Sequence, residues 1–498
     1  MGYSWESNVW GFFNILAILL MSLLVANALK REIKWLSASL IPTSVLGGTI
    51  LLLISVIYQL ITKDVLWNTF IFTDKGSAYL EMTTYHALAL GFIASTLKTT
   101  KTHLNKRRNR EIFNTGLTTV STYLLQGSLG LAVTVIVGLY ISGVFEASGL
   151  LLAFGYGQGT GQAMNYGSIY DVFYGNDNGV IKSIGLTIAA VGFLVSSFGG
   201  VIHLNVLKRR GKLVRGEEFY EVVDMDEVHT PNDIPMQGSV DKLSIQLGLI
   251  TFTYFIAYIL MSVLGHFVSG MKDLIFGFNF LLGVLVATMV KLTINWLKKK
   301  NIVKKEYANN FLLTRLSNFF FDLMVVAGIA AIRLDIVGGY IWVIAVVCAI
   351  GMIATYTYNR FVAVKLFGRY KEEQFMMMYG MLTGTASTGT ILLREIDPEF
   401  KTPASENLIY QNFPAIVFGL PLMFIANFCP KNPVLTIVIL ASMFVVLNII
   451  LFREQIFKRR YKAVHAKLEE NAREARRKAL FKKRPKNNNG KSNKNNNG

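Results

Sequence analysis

The sequence predicts an all-α polytopic membrane protein: two inverted five-helix repeats with two re-entrant hairpins, plus one extra C-terminal transmembrane helix. Three observations predict it. Apolar runs of about 20 residues, long enough to cross roughly 30 Å of hydrocarbon, recur along nearly the whole chain. Charged side chains make up only 16% of the 498 residues, against about 25% in soluble domains. Two Gly- and Thr-rich stretches interrupt the apolar runs at corresponding places in the two halves.

Spans are expected at 8–29, 36–61, 78–97, 117–143 and 181–205, then at 243–268, 274–296, 314–333, 338–362, 409–428 and 433–452. The N-terminus has no basic region before its apolar run, so that run reads as a retained first span and not a cleaved leader. Basic residues collect in alternate loops: Lys30, Arg31 and Lys34, then Arg107, Arg108 and Arg110, then Lys208, Arg209 and Arg210, then Lys298, Lys299 and Lys300. The other loops are balanced, with pairs such as Lys63/Asp64 and Arg333/Asp335. The positive-inside rule then puts the N-terminus outside and the C-terminus in the cytoplasm of a plasma or bacterial inner membrane.

Domain limits follow. An N-terminal repeat, 1–205, contains one hairpin at 148–170. A polar cytoplasmic linker, 206–241, leads to an inverted repeat, 242–431, with a hairpin at 376–393. An extra helix, 432–453, and a basic cytoplasmic tail, 454–498, complete the chain. Five crossings per half is an odd number, so the second copy enters the membrane from the opposite side. That plan is common among secondary transporters, whose sites form where broken segments of the two halves meet.

The first broken segment carries glycines at 155, 157, 159 and 161. A helix-packing motif spaces small residues by four, and each Gly inside a helix costs about 1 kcal/mol, so an extended or turning backbone is expected. Non-helical backbone at membrane depth persists only when buried in protein or lining a wet cavity. Gly157, Gln158, Gly159, Thr160, Gly161, Gln162 and Asn165 are therefore candidate ligand-facing residues. An inert, tightly packed turn is the alternative. A phosphate loop is disfavoured because no Lys follows and no βα unit surrounds it.

The second segment, Gly380 to Thr390, offers hydroxyls at Thr383, Thr385, Ser387, Thr388 and Thr390, with Gly384 and Gly389 as turning points. Hydroxyl and carbonyl oxygens suit a hard cation such as Na⁺, and N–H groups at a helix start suit a carboxylate. Hydroxyls that bond back to their own helix are the alternative. Arg394 either pairs with an anionic solute or snorkels to the cytoplasmic interface.

Ionisable residues inside spans are functional candidates because each costs at least about 2.5 kcal/mol at mid-bilayer. Asp322, with Asn318 one turn before it, is the clearest candidate for cation coupling; a helix-to-helix hydrogen bond is its other reading. Glu81 is expected near the outer surface and His86 as a packing residue.

Other function classes are excluded by what the chain lacks. Cys348 and Cys429 are the only cysteines, and no CxxC or Cys/His cluster suggests a metal. No HExxH, Asp-rich metal motif or activated Ser or Cys pair suggests an enzyme. Of the formal net charge of +19, most lies in the tail, where residues 458–498 hold fifteen Lys or Arg against three Glu. A basic helix on anionic lipid accounts for it. No aromatic stacking platform accompanies the charge, which argues against nucleic acid.

Over most of 8–430 the chain resembles the sodium/glutamate symporter family. The carrying pieces are Ile41-Pro-Thr-Ser-Val-Leu-Gly-Gly48, Tyr123-Leu-Leu-Gln-Gly127, Gly157-Gln-Gly-Thr-Gly-Gln-Ala163, and Gly380 to Thr390 preceded by Val364-Lys-Leu-Phe-Gly368. The resemblance implies re-entrant hairpins entering from opposite sides, Na⁺-coupled uptake of glutamate or a related small carboxylate, a homodimer, and elevator-like movement of the hairpin-bearing part. Two places depart from the family. Glutamate-transporting members have His-Gly-Thr where this chain has Gln158-Gly-Thr160, and Thr-Pro-Thr where it has Thr385-Ala-Ser387. A channel or passive facilitator, and a non-transporting sensor, are the rival expectations.

Overall fold

Among the described residues every regular element is a helix. The computed structural model describes residues 7–98, 106–175, 179–210, 241–267, 272–302, 305, 307–368, 370–397 and 402–456. The expected linker, apart from its two ends, and the basic tail beyond 456 lie outside the described residues.

The first half comprises α1 (Ser7–Glu32), α2 (Thr43–Thr62), α3 (Gly76–Leu97), α4 (Lys106–Tyr140), the short pair α5 (Leu151–Gln158) and α6 (Thr160–Tyr174), and α7 (Val180–Arg209). The second half repeats that order. It has α8 (Lys242–Phe267), α9 (Asn279–Lys299), α10 (Asn310–Ala330), α11 (Ile341–Leu366), the short pair α12 (Lys371–Thr383) and α13 (Ala386–Arg394), and a final element in two pieces, α14 (Ala404–Tyr410) and α15 (Asn412–Phe428). A last helix, α16 (Pro433–Leu451), follows. The chain divides into two units, Met1–Val445 and Val446–Gly498.

Two boundaries differ from expectation for physical reasons. The second span starts at Thr43, not 36, because Pro42 holds a non-helical backbone before it (φ −57°, ψ 144°) and proline also biases the residue ahead of it away from helix. Conversely α4 begins at Lys106, well before 117. Its first turns bury polar side chains, Glu111, Thr115, Thr118 and Thr119, which hydropathy counts as non-membrane.

Nine helices among the described residues are long and apolar enough to cross a bilayer, and α14 with α15, bent by 49°, makes a tenth if the bent pair is counted as one span. The bend lies where Pro414, which has no N–H to give, enters the helix. The remaining expected span, α3, has 22 residues, but Glu81, Thr83, Thr84 and His86 dilute its apolar run. Rows of large apolar side chains stand exposed on the outer helices: Leu53, Ile57, Leu60 and Ile61 on α2, Phe252, Phe255 and Ile259 on α8. Contiguous apolar surface on this scale is not tolerated in water. The chain is a multi-pass membrane protein.

Packing follows one pattern in both halves. α1 lies on α2 as α8 lies on α9; α2 packs against α10 as α9 packs against α3; α3 and α10 pack on each other, as do α4 and α11. The detail repeats as well. A Cβ on Gly48 of α2 would come 2.8 Å from Ile329 of α10, and one on Gly283 of α9 would come 2.9 Å from Ile93 of α3. Two apolar cores result. Ile15, Leu19, Leu51, Leu80, Leu323 and Val326 join α1, α2, α3 and α10. Ile93, Ile250, Ala287, Leu313 and Phe320 join α3, α8, α9 and α10. The remaining helices, α4 to α7 and α11 to α15, enclose the two short pairs.

Candidate functional site

The first short pair breaks at one residue. Gly159 has φ +84° and ψ −173°, a conformation essentially reserved for glycine. Helix resumes at Thr160, and the two pieces fold back on each other so that the Phe154 ring stacks on Tyr166 with centroids 3.9 Å apart. Of the extended or turning backbone expected over 155–161, only the turn at Gly159 is found: Gly155, Gly157 and Gly161 are helical. They are small because neighbours press on them. A Cβ at Gly157 would meet the Tyr123 ring at 2.4 Å, and one at Gly155 would meet Ile188 of α7 at 2.8 Å.

The second pair breaks at Gly384 and Thr385. Thr385 is extended (φ −140°, ψ 170°), and its hydroxyl accepts from the Thr388 amide, capping α13. Here too the helices return on each other: a Cβ on Gly380 would lie 2.7 Å from the Gly389 Cα.

Tertiary packing brings the two breaks together. A Cβ built on Gly159 would stand 3.5 Å from the Thr385 methyl and 3.8 Å from the Gly384 carbonyl oxygen. Each pair is fastened to helices of the other half. From the first, Tyr156 donates to the Cys348 carbonyl on α11, and Tyr166 and Tyr170 donate to Met423 and Ala426 carbonyls on α15. Ser196 of α7 donates to the Gly380 carbonyl of the second. Gln126 of α4 donates to the Leu382 carbonyl and to the Thr355 hydroxyl, 2.8 Å each.

The chemistry at the breaks is neutral and polar. Buried atoms without a hydrogen-bond partner are Gln158 Nε2, Gln162 Nε2, Gln162 Oε1 and Gln126 Oε1. A buried polar atom left unpaired costs about 1–3 kcal/mol, so three amides with unmet capacity in one place suit a polar ligand. The N-terminal ends of α6 and α13 also meet here, offering N–H groups and positive dipole ends to an anionic group. The C-terminal carbonyls of α5 and α12 offer oxygens of the kind a hard cation accepts.

Not every candidate residue reaches the breaks. The Thr383 and Thr390 hydroxyls donate to the Tyr379 and Ala386 carbonyls at 2.6 and 2.9 Å, which leaves their oxygens as acceptors only. Ser387 is half-buried beside the break. Arg394 ends α13, nine residues beyond Thr385. Asn165 lies further along α6, where its amide donates to the Gly277 carbonyl. Asp322 is hydrogen-bonded by Ser44 at the start of α2. On α10 it lies some 120–160° around the helix from Met324 and Gly328, which face Thr160. Asn318 shares the Asp322 side and is exposed. The coupling pair therefore stands apart from the meeting breaks in this structure. Glu81 pairs with Lys182 at 2.7 Å, and His86 contacts the Tyr254 hydroxyl at 2.8 Å, as a packing residue would.

Gln126, Thr355 and Gly192 belong to the site but were not singled out as site residues. The signal in the sequence is Gln126 as the last of a run of polar residues at helical spacing from Glu111 onward. Gly192 admits the second break, since a Cβ there would lie 2.5 Å from the Thr383 carbonyl oxygen. No protein-family model matches the chain, and no curated protein matches it significantly.

Proposed function

We propose that the chain is a cation-coupled secondary transporter that imports glutamate or a related small carboxylate by alternating access. One observation carries the reading: two helix breaks from different halves of a membrane protein abut, with partnerless buried amides around them. Broken helices turn backbone N–H and C=O groups toward a ligand, and such backbone needs protein or a wet cavity around it. In this reading the short pairs are re-entrant hairpins of two inverted repeats, and the N-terminus is outside and the C-terminus cytoplasmic. The reciprocal packing of α2 on α10 and α9 on α3 supports the repeat. The odd number of crossings supports its inversion.

The α6 and α13 N-termini would receive the carboxylate, with Gln158 and Gln162 placing the rest of the solute. Na⁺ is the coupling ion by resemblance to the sodium/glutamate symporter family, as are the homodimer and the elevator-like movement of the pair-bearing helices. Gln158 and Thr385-Ala-Ser387 replace that family's residues, so selectivity among carboxylates is the property expected to differ.

Uptake of labelled glutamate, and of a panel of small carboxylates, into proteoliposomes under an imposed Na⁺ gradient tests the proposal. Accumulation that collapses with the gradient is expected. Flux indifferent to the gradient removes Na⁺ coupling, and no flux of any panel member removes the transporter.

A further inference from the structure

A second polar feature runs away from the breaks along α4. Glu111, Thr115, Thr118, Thr119, Thr122 and Gln126 recur every three or four residues, which confines them to about 100° of the helix circumference. All are at most 9% exposed. From Thr115 to Gln126 the stripe is about 16 Å long.

Its hydrogen-bond inventory is lopsided. The hydroxyl protons of Thr115, Thr118, Thr119 and Thr122 all go to carbonyls one turn back, at 2.7 to 3.0 Å. Each oxygen then presents lone pairs to whatever lies beside the stripe. The Thr122 hydroxyl, besides its bond to the Thr118 carbonyl, points its proton side toward Asn359 Oδ1 at 3.4 Å, and one hydrogen of the Asn359 amide goes to the Thr355 carbonyl at 2.9 Å. Gln126 Oε1 has no partner, and its orientation is fixed because only the NH₂ group can bond the Leu382 carbonyl. Beside the lower stripe, Gln374 donates to Thr115 and Asn407 donates to Gln374 and Tyr370, whose hydroxyl donates to Glu111. Asn407 Oδ1 and, one turn on, Gln411 Oε1 remain without partners, in side chains at most 2% exposed.

Surplus donors would suit an anion. Surplus uncharged oxygens suit a hard monovalent cation, which takes hydroxyl and carbonyl ligands in place of water. Resting on the transporter reading above, we propose that the α4 stripe with Asn359, Asn407 and Gln411 is a cation-binding column joining the Glu111 end of α4 to the helix breaks. At that end Arg107 and Arg108 pair with Glu111 at 3.0 and 2.6 Å, and Arg108 also pairs with Glu406 at 2.8 Å. This cluster closes the column against cations until it parts. The assignment differs from Asp322, whose carboxylate faces Ser44.

The test uses the purified full chain in detergent. Thermal midpoints are followed while NaCl replaces choline chloride at constant ionic strength. Na⁺ stabilisation is expected in the parent protein. Its half-maximal concentration should rise about tenfold or more in Thr122→Val and Asn407→Leu and stay at the parent value in Thr122→Ser. Unchanged midpoints in both variants, or no Na⁺ response in the parent, overturn the column; the first result would mean these oxygens meet water alone. Thr122→Val is close in shape to the native residue, so it decides the matter should Asn407→Leu fail to fold. Intact Na⁺ stabilisation with no solute flux in proteoliposomes would overturn the transporter and leave the column standing.

Discussion

Gly159 concentrates the strain of the first pair in a single residue. Its φ of +84° with ψ −173° costs a residue with a Cβ of order 1–3 kcal/mol, although that Cβ would make only ordinary van der Waals contact with Thr385 and Gly384 of the other break. Gly159→Ala is therefore expected to lower stability by about that amount and to abolish uptake. Thermal unfolding in detergent together with the proteoliposome assay checks both, and a variant with parental melting and flux would count against the break as described. The neighbouring Gln158 and Gln162 are candidates on sequence alone, but the sequence does not say what their amides meet. Their interest comes from partners they do not have, which no spacing of letters reveals.

At the level of elements, the second pair is anchored at its base. Arg360 of α11 bonds both oxygens of Glu372 in the first turn of α12, at 2.5 and 2.8 Å, and His203 of α7 approaches the same carboxylate at 3.4 Å. Burial alone would push the Glu372 pKa up, but the Arg360 hydrogen bonds and charge, aided by His203, outweigh it and hold it below the ordinary carboxylate value. A depressed pKa in the folded state stabilises the fold above the unfolded-state value and loses that contribution as pH falls through the folded value. The melting temperature of the parent should thus drop more steeply than that of Glu372→Gln as the pH is lowered from about 6 to about 3. Parallel curves would show that the anchor contributes nothing.

For the whole molecule, the proposed inversion requires equivalent connections of the two halves to emerge on opposite faces of the membrane. Asp64 follows α2, and Asn301 follows α9, its counterpart. Both are exposed, and the native cysteines are buried. With Cys348 and Cys429 replaced by alanine, Asp64→Cys should react with an impermeant maleimide on intact cells, and Asn301→Cys only after permeabilisation. Labelling of both from one side would mean the halves are parallel, and the argument from odd crossings would fail with them.

Much of this architecture was legible in the residues themselves. The helical membrane class, the order of the long apolar helices, and the Gly- and Thr-rich interruptions follow from a local cause: the bilayer imposes a length and an apolarity on each segment. Of the eleven expected spans, nine among the described residues are long and apolar enough, or ten with the bent pair. The start of α4 was misplaced because its apolar average is diluted by a polar stripe that faces protein. The sequence by itself determined a helical membrane chain with two irregular segments in register. Only the tertiary structure decided that Gly159 alone breaks the first of them, that both breaks touch, that Gln126 joins them, and that Asp322 does not. The meeting of the breaks and the place of Gln126 depend on contacts between residues more than two hundred positions apart, where packing, and not local preference, selects the neighbour.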